Sequence, residues 1–154
     1  MSRDMMANFE LYQPDSVDNA LDLLGRFGED GWAMAGGHDT LDWFKDRAKY
    51  TANVVDLTGI AELRGIRETA DGVEIGALTT LTEIEQSALI QERYGVLADA
   101  ARRVASPQIR NTGTLGGNVN QDTRCWYYRY GTDCYRAGGT TCYADTPEGQ
   151  NREH

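Results

Sequence analysis

Long apolar runs, basic residues and cysteine are all scarce in this sequence of 154 residues. No run approaches the roughly 20 apolar residues that span a bilayer, and residues 1–9 lack the apolar stretch of a signal peptide, so we expect a cytoplasmic protein with no membrane span. Lys and Arg number 15 against 24 Asp and Glu, and the net charge of −9 disfavours nucleic-acid binding because it repels phosphates. An odd number of cysteines, three, disfavours a secreted disulfide framework.

Several signatures of catalysis and metal binding are also missing. The sequence holds two histidines, His38 and His154, and neither has a serine or cysteine partner at the spacing of a recognisable catalytic triad. No C-x2-C pair occurs, which excludes the usual zinc-finger and ferredoxin patterns.

The first half of the chain predicts alternating strands and helices. Short apolar segments at 9–12, 32–35 and 54–57 are typical of strands, and a helical spacing of apolar residues runs from a cap at Ser16 to a stop at Gly28. A second helix, capped by Asp39 or Thr40, follows the second strand. The order β-α-β-α-β favours a small, mostly parallel sheet.

The pattern changes after residue 62. Residues 63–78 predict a hairpin, and the next helical stretch begins at Thr80 or Thr82. An amphipathic helix over 94–105 follows, ended by Ser106-Pro107. Together with the first half, this predicts an α+β fold.

Composition divides the chain into three segments. We expect a first lobe over 1–62, a second lobe over 63–120, and an irregular extension over 121–154. The extension carries all three cysteines and 6 of the 14 aromatic residues, and it lacks the periodicity of a helix or strand.

Two glycine-rich segments are the candidate binding loops. The first is 35–40, Ala-Gly-Gly-His-Asp-Thr, which joins a strand to a helix, where backbone N–H groups can bind an anion. It has neither the G-x-G-x-x-G nor the G-x-x-x-x-G-K-[ST] pattern. The second is 109–119, which combines three glycines with threonine and asparagine and could supply several backbone donors and hydroxyls to one phosphate group. Each could be only a tight turn, but the pair indicates a diphosphate held between two lobes, as in a dinucleotide.

The paired segments 35–39 and 108–118 resemble the FAD-binding, or medium, subunit of the molybdenum hydroxylases, the xanthine dehydrogenase and carbon monoxide dehydrogenase family. The resemblance covers nearly the whole chain, including 75–80, Ile-Gly-Ala-Leu-Thr-Thr. It implies the N-terminal part of a two-lobed FAD-binding domain. The cofactor-binding residues that it implies are Ala35, Gly36, Gly37, His38, Asp39 and Thr40 on one side, and Thr114, Leu115, Gly116, Gly117 and Asn118 on the other.

The cysteine segment resembles one branch of that family more closely. Its spacing is Cys125-x8-Cys134-x7-Cys142. The branch, which includes the β-subunit of 4-hydroxybenzoyl-CoA reductase, has an iron–sulfur insertion at this place, so the resemblance implies that these cysteines are ligands of a [4Fe–4S] cluster whose remaining ligand is not in this sequence.

The resemblance implies an oxidoreductase component rather than a complete enzyme. The expected partners are a large subunit with the molybdenum cofactor and a small subunit with [2Fe–2S] clusters, and the FAD subunit passes electrons between these clusters and an external redox partner. Two alternatives remain open at this point. One is a zinc-stabilised interaction module in which His154 joins the three cysteines, and the other is a plain nucleotide-binding domain.

Overall fold

The computed structural model describes residues 6–149, which form five strands and eight α-helices. The strands are β1 Glu10–Tyr12, β2 Gly31–Met34, β3 Asn53–Asp56, β4 Ile66–Thr69 and β5 Gly72–Ile75. The helices are α1 Val17–Phe27, α2 His38–Lys45, α3 Leu81–Gln86, α4 Ala88–Arg93, α5 Gly95–Arg102, α6 Pro107–Arg110, α7 Leu115–Val119 and α8 Trp126–Arg129. Short 3₁₀ turns occupy Gly28–Asp30, Leu57–Gly59, Ala61–Leu63 and Tyr135–Ala137.

The described chain divides into two compact units. The sheet unit consists of residues 9–38 and 51–120, and the extension unit consists of residues 6–8, 39–50 and 121–149. The division along the sequence falls inside the first glycine loop, between His38 and Asp39.

A parallel sheet forms one half of the sheet unit, as the β-α-β-α-β pattern predicted. Its order is β1-β3-β2, so that β3 is the central strand and pairs with both neighbours in parallel. The helix after β1 begins as predicted, because the Ser16 side chain accepts a hydrogen bond from Asn19 N–H, and it ends at Gly28, whose φ of +53° favours glycine. Val55, Ile60 and Leu78 are fully buried beneath α1 with Ala20.

The other half of the sheet unit contains the predicted hairpin, β4-β5, and a helical cluster. Thr80 caps α3 through a capping box with Glu83, which confirms the predicted helix start. The bonds that Glu83 accepts from Thr80 lower the pKa of this carboxyl group. The core of this half consists of Leu81, Ile84, Ile90, Ala98 and Ala101.

The helix predicted over 94–105 is present but shorter, since α5 occupies Gly95–Arg102 and a separate helix, α4, ends just before it at Arg93. Tyr94, with a non-helical backbone (φ −135°, ψ 42°), separates α4 from α5, and α5 ends at Arg102, before Ala105 adopts a positive φ of 42°. Ser106-Pro107 does not simply end a helix either. Ser106 caps α6, and Pro107 occupies the first turn of that helix, where its missing N–H is harmless.

The extension unit is built around the body of α2. Trp43 and Phe44 of this helix are buried, as are Cys125, Cys134 and Ala144 of the Cys-rich extension. Contrary to the expectation of a wholly irregular segment, the extension forms α8 and one 3₁₀ turn. Within residues 6–149, no helix combines the length and the apolar character needed to cross a bilayer.

Candidate functional site

The first glycine loop leaves the carboxyl end of β2 and leads directly into α2. Ala35, Gly36 and Gly37 fill the gap between Met34, the last residue of the strand, and His38, the first of the helix. Gly37 has a φ of +80°, which residues with a side chain adopt only with strain. The carboxyl edge of a parallel sheet is the usual place for a ligand in open α/β structures.

This loop offers unpaired main-chain donors. Among residues 6–149, neither the Gly36 N–H nor the Gly37 N–H has a protein acceptor. Successive free N–H groups at a helix start form an anion-binding site, and a phosphate is the anion that such sites bind most often.

The second loop packs directly against the first. A Cβ on Gly36 would collide with the backbone carbonyl of Thr112 and would lie 3.2 Å from Gly113 Cα. Position 36 therefore requires glycine, because the main chain of the second loop passes beside it. A hydrogen bond of 2.6 Å between His38 Nε2 and Thr112 Oγ1 joins the same two loops through their side chains.

The second loop differs from the open glycine loop that the sequence predicted, because its end is helical. Thr114 is buried and caps α7, accepting a hydrogen bond of 3.1 Å from Gly117 N–H. Backbone bonds tie the start of this helix to the residues before α3: Leu115 N–H donates to Thr79 O, and Gly116 N–H donates to Ala77 O.

The main-chain donors of α7 are therefore already engaged. Besides Leu115, Gly116 and Gly117, Asn118 N–H donates to Thr114 O at 2.9 Å. The expectation that this loop supplies several free backbone donors is wrong for these four residues. The glycines serve close packing instead, since a Cβ on Gly116 would lie 2.9 Å from Ala77 O. One on Gly117 would lie 3.1 Å from Thr114 Oγ1 and at an ordinary contact distance, 3.9 Å, from Ala35 Cβ of the first loop.

Asp39 and Thr40, predicted as alternative caps of α2, both lie inside the helix because α2 begins at His38. The Asp39 carboxylate instead forms an ion pair with Arg124 within the extension unit, which offsets a negative charge in the first turn. Asp39 Oδ2 is buried without a hydrogen-bond partner in the described part of the chain. Thr40 is buried.

The three cysteines are reduced thiols that the structure does not gather into a ligand cluster. Cys125 and Cys134 are buried and Cys142 is partly exposed. Over residues 6–149, no group of three or more His, Cys, Asp or Glu side chains is arranged to hold a metal ion. His154, the fourth ligand of the zinc alternative, lies outside the described residues.

Charged and aromatic contacts connect the Cys-rich extension to the rest of its unit. Trp43 is 3% exposed, and its ring faces Lys49 Nζ at 5.1 Å and the Arg129 guanidinium at 5.0 Å. Arg129 also pairs with Asp46 at 3.3 Å, and Tyr128 packs against Trp43. These contacts join the Cys-rich extension to α2.

Asp122 is a further charged centre of the same unit. Burial raises the pKa of this carboxyl group, but hydrogen bonds from Lys49, from Thr123 N–H and from Arg136 outweigh burial and leave the pKa below its usual value. The Arg136 guanidinium lies 2.6 Å from Asp122 Oδ1. In return, Asp122 raises the pKa of Arg136.

Sequence reasoning missed Thr112 as a site residue. It lies within the second glycine segment, but its contacts with Gly36 and His38 span more than 70 residues of sequence (74 for the pair with His38). A local sequence pattern cannot predict a contact between residues so far apart in the chain. The unpaired N–H groups of the first loop, in contrast, are in keeping with the sequence expectation of an anion-binding turn.

Comparison with known proteins agrees with this geometry. Residues 7–147 match the family described as FAD binding domain in molybdopterin dehydrogenase. The carbon monoxide dehydrogenase medium chain of Hydrogenophaga pseudoflava is 43% identical over 111 residues, which is 72% of this chain and 39% of the relative. The nicotinate dehydrogenase FAD-subunit of Eubacterium barkeri is 38% identical over 116 residues, or 75% of this chain and 39% of that one.

Solved structures show the same fold. A carbon monoxide dehydrogenase from Hydrogenophaga pseudoflava that lacks the Mo-pyranopterin moiety of its cofactor superposes with a TM-score of 0.73 at 42% identity, covering 75% of this chain and 40% of that one. Quinoline 2-oxidoreductase from Pseudomonas putida 86 gives 0.70 at 27% identity, covering 73% and 39%. The present chain thus spans about two fifths of the length of these relatives. It belongs to the family of FAD-binding domains of molybdopterin dehydrogenases.

Proposed function

We propose that this chain is part of the FAD-binding electron-transfer subunit of a molybdenum-containing hydroxylase, and that the first glycine loop binds the FAD diphosphate. The observation that carries the proposal is the pair of unpaired N–H groups on Gly36 and Gly37 at the start of α2. Residues Ala35 to Thr40 form this side of the cofactor site. The flavin supplies the redox chemistry when bound, and the protein holds it and sets its surroundings.

The second loop, from Thr114 to Asn118, forms the other side of the proposed site. Because the N–H groups of residues 115–118 are engaged within the protein, we propose that this loop acts mainly through its shape. Its glycines allow the backbone to approach both the first loop and a ligand closely.

The proposed partners follow from family membership. Relatives are named as a medium chain or an FAD-subunit, names that imply further subunits. We propose a large subunit with the molybdenum cofactor, a small subunit with [2Fe–2S] clusters, and a cytoplasmic complex. Electrons would pass between those clusters and an external redox partner through the flavin.

The finer assignment to the 4-hydroxybenzoyl-CoA reductase type, with its role in aromatic metabolism, rests on the cysteine segment. The described structure does not fit a [4Fe–4S] cluster as folded, because Cys125, Cys134 and Cys142 do not form a three-ligand group within residues 6–149. The cluster therefore stays a prediction from resemblance. Iron and sulfide analysis of anaerobically purified protein tests it. Iron with sulfide supports the cluster, one zinc per chain supports the zinc-stabilised module, and neither metal contradicts both.

Binding of FAD and ADP to the 154-residue chain tests the flavin proposal. ADP carries the diphosphate without the flavin, and adenosine, which lacks phosphate, is the ligand control. We expect ADP and FAD to bind and adenosine to bind far more weakly. The proposed function would be contradicted if adenosine bound as tightly as ADP, or if neither ADP nor FAD bound.

A matched pair of glycine variants locates the site. Gly37→Ala and Gly65→Ala both place a Cβ on a residue with positive φ, +80° and +100° respectively, so both strain the backbone of the sheet unit. Only Gly37 lies in the first glycine loop. Loss of ADP binding in Gly37→Ala, with binding retained in Gly65→Ala, assigns the diphosphate to this loop. Equal binding in the two variants shows that the loop is only a turn.

A further inference from the structure

Thr112 contacts the first glycine loop at two separate points. Its backbone carbonyl lies beside Gly36 Cα, in the space that a side chain would need. Its hydroxyl oxygen lies 2.6 Å from His38 Nε2. One residue of the second loop therefore touches both the glycine pair of the first loop and the residue that begins α2.

The main chain around Thr112 is fixed to the body of the sheet unit. Thr112 N–H donates to Ile109 O at 3.2 Å, and the carbonyl of Gly113 accepts a hydrogen bond of 2.9 Å from Leu81 N–H. On the other side, the Asn111 side chain accepts a hydrogen bond of 2.8 Å from the Thr82 hydroxyl. Thr112 is thus held by its neighbours on α3 and α6 before any ligand binds.

The first glycine loop has fewer restraints of its own. The N–H groups of Gly36 and Gly37 make no protein hydrogen bonds among residues 6–149, and glycine has more backbone freedom than any other residue. The hydrogen bond between the His38 side chain and Thr112 ties this loop to the second one. A ligand that uses both N–H groups needs the loop in one conformation. A contact that already restricts the loop therefore reduces the conformational entropy that is lost when the ligand binds.

We propose that His38 and Thr112 form a clasp that holds the first glycine loop in its binding conformation, and that both side chains are positioning residues for the diphosphate. The inference rests on the proposed function, because it assumes that the loop binds the FAD diphosphate. In this arrangement the His38 imidazole bonds to the second glycine loop rather than to the phosphate. It also adds Thr112, which the sequence did not single out, to the site.

Removal of the hydroxyl tests the clasp. Thr112→Val keeps the volume of the side chain but cannot form the hydrogen bond, whereas Thr112→Ser keeps the hydroxyl. Because both partners are exposed, we expect ADP and FAD to bind about three- to tenfold more weakly to Thr112→Val, and Thr112→Ser to restore most of the affinity. The control is Thr69→Val, at an exposed threonine at the end of β4.

A double-mutant cycle separates a clasp from two independent effects. If His38 and Thr112 act together, then His38→Ala combined with Thr112→Val weakens ADP binding by no more than the stronger single variant. If the affinity loss of the double variant equals the product of the two single fold-losses, His38 acts on the ligand directly and the clasp is overturned. A Thr112→Val variant that binds ADP within twofold of the wild-type affinity would also overturn it.

The imidazole itself provides a readout without ligand. The sequence has two histidines, so a long-range ¹H–¹⁵N spectrum shows two ring systems. We expect Thr112→Val to shift the nitrogen signals of one ring and Thr69→Val to shift neither. Unshifted signals in Thr112→Val overturn the clasp. If the signals shift but wild-type protein binds neither ADP nor FAD, the contact exists while the proposed function fails, and with it the positioning role.

Discussion

The backbone carbonyl of Thr112 and the Cα of Gly36 lie so close that no side chain fits between them. This contact brings the two glycine-rich segments together, although 76 positions separate them in the sequence. The glycine at position 36 is therefore needed by the fold itself, whereas under the proposed function we expect substitution of its neighbour Gly37 to report on ligand binding.

We expect Gly36→Ala to destabilise the sheet unit by about 1–3 kcal/mol, because the added Cβ forces the Thr112 backbone to move. The matched control is Gly25→Ala in α1, where a Cβ meets no atom within 4 Å. Since alanine favours a helix over glycine, that variant should gain up to about 1 kcal/mol. Urea unfolding measures both changes, and a Gly36→Ala variant as stable as the wild type would contradict the observed contact.

Thr80→Ala should lower the free energy of unfolding by about 1 kcal/mol, because it removes the cap of α3. Hydrogen bonds from the Thr80 backbone and side chain lower the pKa of Glu83, so this variant should also raise that pKa toward its usual value, as measured by NMR titration. Thr80→Ser, which keeps the hydroxyl, is the control. An unchanged Glu83 pKa in Thr80→Ala would show that the side-chain bond does not contribute to the shift.

The Asp122 carboxylate should make the extension unit sensitive to acid. The pKa of Asp122 is lower in the folded protein than in the unfolded chain. Its contribution to the free energy of unfolding is therefore present above the usual pKa of 3.8 and is lost as the pH falls through the pKa of the folded state. We expect Asp122→Asn to lose about 1–3 kcal/mol of stability at pH 7, since charged hydrogen bonds to Lys49 and Arg136 are weakened.

The difference in stability between wild type and Asp122→Asn should shrink as the pH falls below about 4, because the carboxylate protonates first in the unfolded chain and at a lower pH in the folded protein. Unfolding followed by tryptophan fluorescence from pH 7 to pH 3 measures it, and Trp43 of the same unit provides a signal. A difference that stays constant over this range would rule out the ionised Asp122 as its source.

Arg129→Ala should release the Cys-rich extension from α2. The guanidinium packs over Trp43 and pairs with Asp46, and its side chain is only 16% exposed. We expect limited proteolysis to cut within residues 121–149 at least several-fold faster than in the wild type. Arg102→Ala removes a cation whose partner, Asp99, is as exposed as Arg102 itself, and should leave the rate unchanged. Equal cleavage of both variants would show that Arg129 does not anchor the segment.

Much of the fold could be predicted because its signals are local. Ser16, Gly28 and Thr80 mark helix ends through hydrogen bonds or backbone angles that depend on nearby residues. The order of strands and helices likewise predicted the parallel sheet. Where the sequence misled, a local signal was overridden. Helix α5 ends at Arg102 although the amphipathic pattern continues to Ala105, and Thr114 caps a helix in a segment whose glycines disfavour one.

The candidate site was only partly predictable, for the same reason. The glycine pair at positions 36 and 37 is visible in the sequence, and so is its place between a strand and a helix. The residues that contact the side chains of this loop are not visible in the sequence. Arg124 on Asp39 and Thr112 on His38 are contacts across 85 and 74 residues, and they depend on the completed fold.

The order of the parallel sheet also determines when the protein can begin to fold on the ribosome. β1 and β2 are made first, but they do not pair with each other, since both pair with β3. Until Asn53–Asp56 leave the exit tunnel, both earlier strands lack a partner, and α1 has no finished sheet to cover. The segment that contains the first glycine loop is therefore synthesised well before it can acquire its final shape, and a nascent chain arrested before β3 should expose it to proteases or chaperones.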